Sequence, residues 1–466
     1  MRRHAVSLFF LVFFAHAYFV GALGWNQSAR VGAILTFVEP GPNRFTLRID
    51  EFVQSDARNL LTGDWARGAD GHYYSNKAPG VSFVGIPAYA ALYGLERLVG
   101  ADPRSEVVTR LNTILLNLWC AVGWTAAATV VLSLFLAASG FTRNEALVGA
   151  LAYAFGTLIF PYDTSLWGHP TAAACLLGAL CLAWWPGGMR WPWLAGTLGG
   201  FAVLSDYLAV FALAAVGLAL LVRRLSWRDR FAFGAGVALP LLVLLLSQRA
   251  LFGGFLTTAS SQSNPVFLDQ ARTFGLIGRF DGSTLFGLLF SRWRGLFLYC
   301  PVLLSCGVGA WQRWRGGETL LVVACAAGFA TQLFFLSSVA GWWGGSAAGA
   351  RYLITSIPLL AILAPRTSAL APWVRCLYWG ALAVSVCNML TLTAVELMMD
   401  EAERDPLYGL AYLLLAMGRY PHLIDTINLG MLLGLAPRWD LVPFVLVFGG
   451  WTLSLLHSTR AADRRS

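Results

Sequence analysis

The chain has 466 residues, of which 57% are hydrophobic, 14% aromatic and only 12% charged, with a mean hydropathy of +0.63. That balance excludes a soluble globular protein of this size and places the chain in a bilayer. The formal net charge of +9 would point to nucleic acid in a soluble domain; here it is read as topology, because excess arginine marks cytoplasmic loops, and no nucleic-acid partner is expected.

The chain opens on MRRHAVSLFFLVFFAHAYFVGALG, a basic start and about twenty apolar residues, enough for one uncleaved helical span. A long polar region, 25–106, follows. It is interrupted by GVSFVGIPAYAALYGLERLVG, whose Glu96 and Arg97 favour a helix lying in the membrane interface over a span. Later spans are expected at about 107–137, 144–160, 168–186, 192–205, 207–222, 230–250, 295–311, 318–336, 352–364, 374–395 and 441–457, about twelve with the first. Residues 192–222 as one straight helix would run roughly 46 Å with Asp206 near the centre, so two short passes or a broken helix are expected. The eight cysteines (Cys120, Cys175, Cys181, Cys300, Cys306, Cys325, Cys376, Cys387) lie in or beside apolar runs without C-x-x-C spacing and read as buried free thiols.

On this count every short basic connection falls on one side, 15 arginines against four acids (Glu145, Asp229, Glu318, Asp463). That is the positive-inside pattern, with both termini cytoplasmic in a multi-pass protein of the inner or plasma membrane. Long loops at 25–106, 251–294 and 396–440, and a shorter one carrying SSVAGWWGGSAAGARYL, then face outward. The expected fold is an all-α integral membrane protein of about twelve transmembrane helices, with a large first outer loop carrying interfacial helices. It divides into a transmembrane module with that loop, 1–250, and C-terminal helices with the two later loops, 251–466.

The outer loops hold most of the unusual polar residues. The first carries Asp50, Glu51, Asp56, Asp64 and Asp70 beside arginines and Lys77, the only lysine of the chain, in DGHYYSNKAPG. A carboxylate at the membrane surface can serve as general base toward a sugar hydroxyl while Lys or Arg holds a phosphate leaving group. For any single acid a solvated loop is the commoner meaning. His169 in DTSLWGHPTAA can bind substrate, share a proton with Asp163, or be a structural residue at a helix start. Arg351, after the glycine-rich GWWGGSAAGA, suits phosphate pairing; Arg292 and Arg294 suit either phosphate or snorkelling to headgroups. There is no Walker loop, no G-x-G-x-x-G before a helix and no metal-ligand spacing. No cofactor is expected; a divalent ion shared by Asp50, Glu51 and Asp64 is the minority reading.

The first span, the polar segment with Arg30, and GDWARGADGHYYSNKAPG leading into an apolar helix resemble the first outer loop of the GT-C superfamily of polyprenyl-phosphate-sugar glycosyltransferases, such as the protein mannosyltransferases and the lipid A aminoarabinose transferase. These have an acidic pair soon after the first span, a G-D-W turn, and a K-P-P or H-P-P element that Lys77, Ala78, Pro79 and Gly80 match loosely. The resemblance covers roughly the first 250 residues. It implies inverting transfer from a polyprenyl-phosphate-linked sugar to a lipid or glycan acceptor on the outer face. Asp64 or Asp50 would then be the base, and Lys77, Arg351 and Arg30 would hold the phosphate, with His72, Tyr73 and Tyr74 on the donor-site rim and His169 near the substrate. One departure stands out: where the family has its acidic pair, this chain has Asn26 and Gln27, and an amide cannot be a base. Two rivals follow, a transporter or flippase for a lipid-linked substrate, to which Asp206 points, and a non-catalytic member of the same fold.

Overall fold

The computed structural model describes residues 2–267, 279–418 and 426–464, so parts of the expected outer loops 251–294 and 396–440 lie outside the described residues. The first half is helical with one small hairpin: α1 (Arg2–Ala17), β1 (Phe19–Val20, paired with Ile427–Asn428), α2 (Trp25–Val38), α3 (Asp50–Gln54), then the hairpin strands β2 (Trp65–Arg67) and β3 (Tyr73–Ser75), α4 (Gly80–Leu98), α5 (Glu106–Asn117), α6 (Gly123–Ala138), α7 (Arg143–Phe155), α8 (Ile159–Tyr162), α9 (Gly168–Ala183), α10 (Pro192–Ser205), α11 (Ala209–Val222) and α12 (Trp227–Phe252). Helices Leu296–Tyr299, Cys306–Arg315, Thr319–Leu336, Ile357–Ala361, Pro372–Val395 and Gly450–Asp463 follow. Among the described residues five helical stretches are long and apolar enough to cross a membrane: Glu106–Ala138, Trp227–Phe252, Thr319–Leu336, Pro372–Val395 and Trp439–Asp463. Several of the other expected spans are shorter apolar helices, including α9, α10 and α11.

Local chemistry explains the helix starts. Ser105 caps α5, Thr142 and Glu145 form a reciprocal capping box on α7, Ser226 caps α12, and Pro192 opens α10. The expected break in 192–222 is present: Asp206 ends α10 and its Oδ1 accepts from the Leu208 amide at 3.1 Å before α11 begins. The polar region 25–106 contains a helix that the sequence pattern did not show, α2, which α4 packs along.

The bundle is organised around α9, on which all but His169 of its sixteen residues are buried. A helix apolar all round belongs in the centre. It is flanked by α6, α10 and the segment Arg351–Ala361. The α10–α12 contact is set by small residues: a Cβ on Gly196 would stand 2.0 Å from the Phe233 carbonyl oxygen, and one on Gly236 2.2 Å from that of Trp193. In lipid, where apolar burial gives helices little reason to associate, such close backbone approach supplies the contact. Cys376 and Cys387 correct the thiol reading: they are exposed on the apolar helix Pro372–Val395, while five others are buried.

The two ends of the bundle differ. At one, the Arg143 and Asn144 amides donate to Asp463, Arg366 donates to the Ser139 carbonyl, and Glu145 accepts from Ser368. The short basic connections of 143, 366 and the C-terminal helix therefore share an end. The other end carries the first loop, braced by Glu39: Arg58 grips its carboxylate with two bonds of 2.7 and 2.8 Å, and Arg104 and Tyr89 donate at 3.1 and 2.7 Å.

Candidate functional site

The segment DGHYYSNKAPG is the returning half of a hairpin. β2 and β3 pair antiparallel, Trp65 opposite Ser75 and Arg67 opposite Tyr73, around a turn in which Gly71 has φ +85°. Asp70 holds the turn: it accepts from the His72 amide, from Tyr74 Oη at 2.8 Å and from Arg48 Nη2 at 2.9 Å. Burial pushes the Asp70 carboxyl up, but those bonds outweigh it and leave it below the usual range. Tyr74 is buried here and belongs to the turn; the sequence placed it on the donor-site rim as an aromatic face for a sugar. Tyr73 packs edge-on against Trp65.

The hairpin separates the two acids proposed as base. Asp50, at the start of α3, accepts from the Tyr73 amide and pairs with His72 at 3.2 Å. Asp64 stands at the foot, where the Asn76 amide donates to its carbonyl and Lys77 Nζ meets its Oδ1 at 3.0 Å. Tyr73 and Asn76 are three residues apart, about 10 Å along a strand. Asp50, Asp64 and Glu51 therefore do not converge as the minority ion reading requires. Among the described residues no group of three or more His, Cys, Asp or Glu is placed to hold a metal ion.

Below the foot of the hairpin three helix ends meet beside α2. A Cβ on Gly80, at the start of α4, would fall 2.6 Å from Ser205 Oγ, and one on Gly168, at the start of α9, 2.6 Å from the Ser205 carbonyl oxygen and 2.7 Å from Arg30 Nη2. Arg30 comes from α2, is buried, and donates from Nη1 to the Ala78 carbonyl at 2.9 Å and from Nε to Asn26 at 3.2 Å. Asn26 and Gln27 thus have structural duties. Asn26 steadies Arg30, and Gln27 accepts from the Gly24 amide and donates to Ser165 Oγ.

His169 pairs through Nδ1 with Asp206, not with Asp163. The chain turns between α8 and α9, so Asp163 faces the opposite way and takes His16 at 2.7 Å and Thr125 at 3.1 Å. Arg30 and Arg351 lie within electrostatic reach of His169, Asp206 acts on Arg30, and Asp64 acts on both arginines. Arg351 lies over the rings of Trp167 and Tyr352, at 5.2 Å from each centroid, against the left-handed Gly344. Behind it Arg294 is spent on the Trp343 and Gly345 carbonyls, and the exposed Arg292 pairs with Asp405.

Lys77, Arg30 and Arg351 thus face Asp64 and Asp206, three fixed cations against two carboxylates. Around them lie buried polar atoms without a protein partner: the donors Arg351 Nε and Trp167 Nε1, Ser205 Oγ, and Asn76 Oδ1. The first turn of α9 adds its own partial positive charge. The side chains at the upper edge, Lys77 and Asp64, are 21% and 11% exposed, so the site opens at the hairpin. A recess of about 670 Å³ lined by Arg143, Leu182, Arg190 and Asp463 is remote from it; Leu182 is thirteen residues along α9 from His169, about 20 Å of helix.

Two solved structures are similar to this chain. They are crystal structures of ArnT from Cupriavidus metallidurans, one in the apo state and one bound to undecaprenyl phosphate. The first is 18% identical over 97% of this chain and 75% of that one, with a TM-score of 0.45; the second is 16% identical over 98% and 76%, with a TM-score of 0.44. No family model matches the sequence, and no curated protein does.

Proposed function

We propose that this chain is an integral-membrane glycosyltransferase of the GT-C type, which moves a sugar from a polyprenyl-phosphate-linked donor to a lipid or glycan acceptor on the outer face, with inversion. The observation that carries the reading is the surplus of one cation in a site that also holds unpartnered donors. That is the electrostatic demand of a phosphodiester, which bears one negative charge. Lys77, Arg30 and Arg351 hold the phosphate over the first turn of α9. As the acceptor hydroxyl oxygen bonds to the anomeric carbon, the carbon–oxygen bond to phosphate breaks, and the electron pair stays on the phosphate oxygen where the three cations stabilise it. Asp64 is the base in this reading: Oδ1 is engaged by Lys77, and Oδ2 accepts from no protein donor among the described residues. Asp50 is occupied at the far end of the hairpin.

Reconstituted protein, a labelled lipid-linked sugar and an acceptor lipid test this. Asp64→Asn loses transfer and Asp50→Asn keeps most of it; loss in Asp50→Asn with activity retained in Asp64→Asn reverses the assignment. One observation favours the second reading, a transporter or flippase: an ionisable residue, Asp206, at a break between two apolar helices. Movement of the intact donor between leaflets without release of polyprenyl phosphate selects it.

A further inference from the structure

His169, paired with Asp206, has no role in the scheme so far, yet it lies within reach of both arginines assigned to the phosphate. The groups that face His169 are Asp206 from the α10–α11 break, Arg30 from α2, Arg351 and Tyr352 from the segment after the glycine loop, and Tyr162 and Trp167 from the α8–α9 connection. Arg294 lies further back, within reach of Glu401, so that pair leaves the sum unchanged. With His169 neutral the site carries one net positive charge, which matches a phosphodiester donor. The product is different. A polyprenyl phosphate is a monoester whose second ionisation lies near pH 6, so near neutral pH it carries close to two negative charges.

We infer that His169, seated on Asp206, takes up one proton when the site passes from the phosphodiester donor to the phosphomonoester product, so that the charge of the site follows the charge of the lipid. This rests on the phosphate assignment above. The atoms balance: the acceptor hydroxyl gives up one proton as its oxygen bonds to carbon, that proton leaves through Asp64 at the open edge, and an equal charge is gained at the imidazole. Asp206 is what makes the imidazolium tolerable between two arginines, through a charge-assisted bond to Nδ1–H.

The experiment is calorimetric titration of the full-length protein in nanodiscs with two lipids, a polyprenyl phosphate and a polyprenyl phosphate esterified to a sugar, in two buffers of different ionisation heat. The wild type is expected to take up nearly one proton more with the monoester than with the diester. Its monoester affinity should also fall up to about tenfold per pH unit over the range in which the complex holds the His169 proton and the free site does not, and level off above it. His169→Gln should abolish the difference and flatten the pH dependence while diester affinity stays within about twofold. Asp206→Asn, an isosteric change, should likewise abolish the difference in proton uptake where the glutamine variant fails to fold, while its diester affinity rises because the site then carries one more net positive charge. Equal proton uptake in wild type and either folded variant overturns the inference and leaves the phosphate site standing. Failure of the wild type to bind either lipid overturns the phosphate site itself.

Discussion

Replacing Lys77 is the most informative single perturbation of the site. Its side chain is 21% exposed and its ammonium meets Asp64 Oδ1 at 3.0 Å, so it stands at the open edge with one carboxylate partner. A hydrogen bond to a charged group contributes about 1.5–3 kcal/mol. At 1.4 kcal/mol per factor of ten, Lys77→Ala and Lys77→Gln are therefore expected to weaken binding of a polyprenyl phosphate about 10- to 150-fold and to lower transfer by at least as much. The loss should lie toward the upper end, because Asp64 is left uncompensated beside the phosphate. Neutralising both in Lys77→Gln with Asp64→Asn should then recover part of the lipid affinity while transfer stays lost, a non-additivity that a double-mutant cycle reads directly. Lys77→Arg keeps the charge but exchanges a compact point charge for a planar fork, and intermediate binding is expected. The assay is lipid titration of purified protein in nanodiscs alongside sugar transfer in proteoliposomes. Wild-type affinity and wild-type transfer in both neutral variants would remove Lys77 from the site and refute the reasoning.

Gly80→Ala adds a Cβ that would sit 2.6 Å from Ser205 Oγ and 2.8 Å from the Leu204 carbonyl oxygen, so the hairpin foot must lift, carrying with it the Ala78 carbonyl that holds Arg30; transfer should fall at least tenfold with little change in expression. Gly196→Leu should separate α10 from α12 and cost folded protein, read as loss of the monodisperse peak in detergent. Burial raises the Glu39 carboxyl, but Arg58, Tyr89 and Arg104 outweigh burial and hold it below its ordinary value. Its contribution to stability is therefore fully present above about pH 4.3, the unfolded value, and is lost as pH falls through the lower folded value. Proteolysis of the first loop should accelerate over that window in the wild type, whereas Glu39→Gln, which leaves two arginines without their carboxylate, should be cut faster already at pH 7. The arginine distribution predicts residue 102 outside and residue 226 inside, which impermeant thiol labels on single introduced cysteines check in a background lacking exposed Cys376 and Cys387.

Much of the helical frame was legible because long apolar runs leave few alternatives in a membrane, and the break at Asp206 was legible because a carboxylate cannot lie unpaired mid-helix. Helix α2 was hidden: WNQSAR opens it with polar residues, and their burial is paid for by tertiary partners, Ser165 for Gln27 and Ala78 for Arg30, that no local pattern shows. The pairing of Lys77 with Asp64 follows from a hairpin of short span. The partner of His169 did not follow. Asp163 is six residues away and Asp206 thirty-seven, and only the turn between α8 and α9 decides between them. Tyr74 was misplaced for a related reason: alternation along β3 sends its ring inward to the turn carboxylate, and the register of so short a strand is fixed by the turn, not by hydrophobic pattern.

The central claim is that Lys77, Arg30 and Arg351 together hold a lipid phosphate. Cryo-electron microscopy of the protein in nanodiscs with saturating polyprenyl phosphate tests it most directly. Phosphate density is expected at the foot of the hairpin, over the first turn of α9, within about 3 Å of Lys77 Nζ and of a guanidinium nitrogen of Arg30 or Arg351. Density for the phosphate elsewhere, with Lys77 still closed on Asp64, would contradict it.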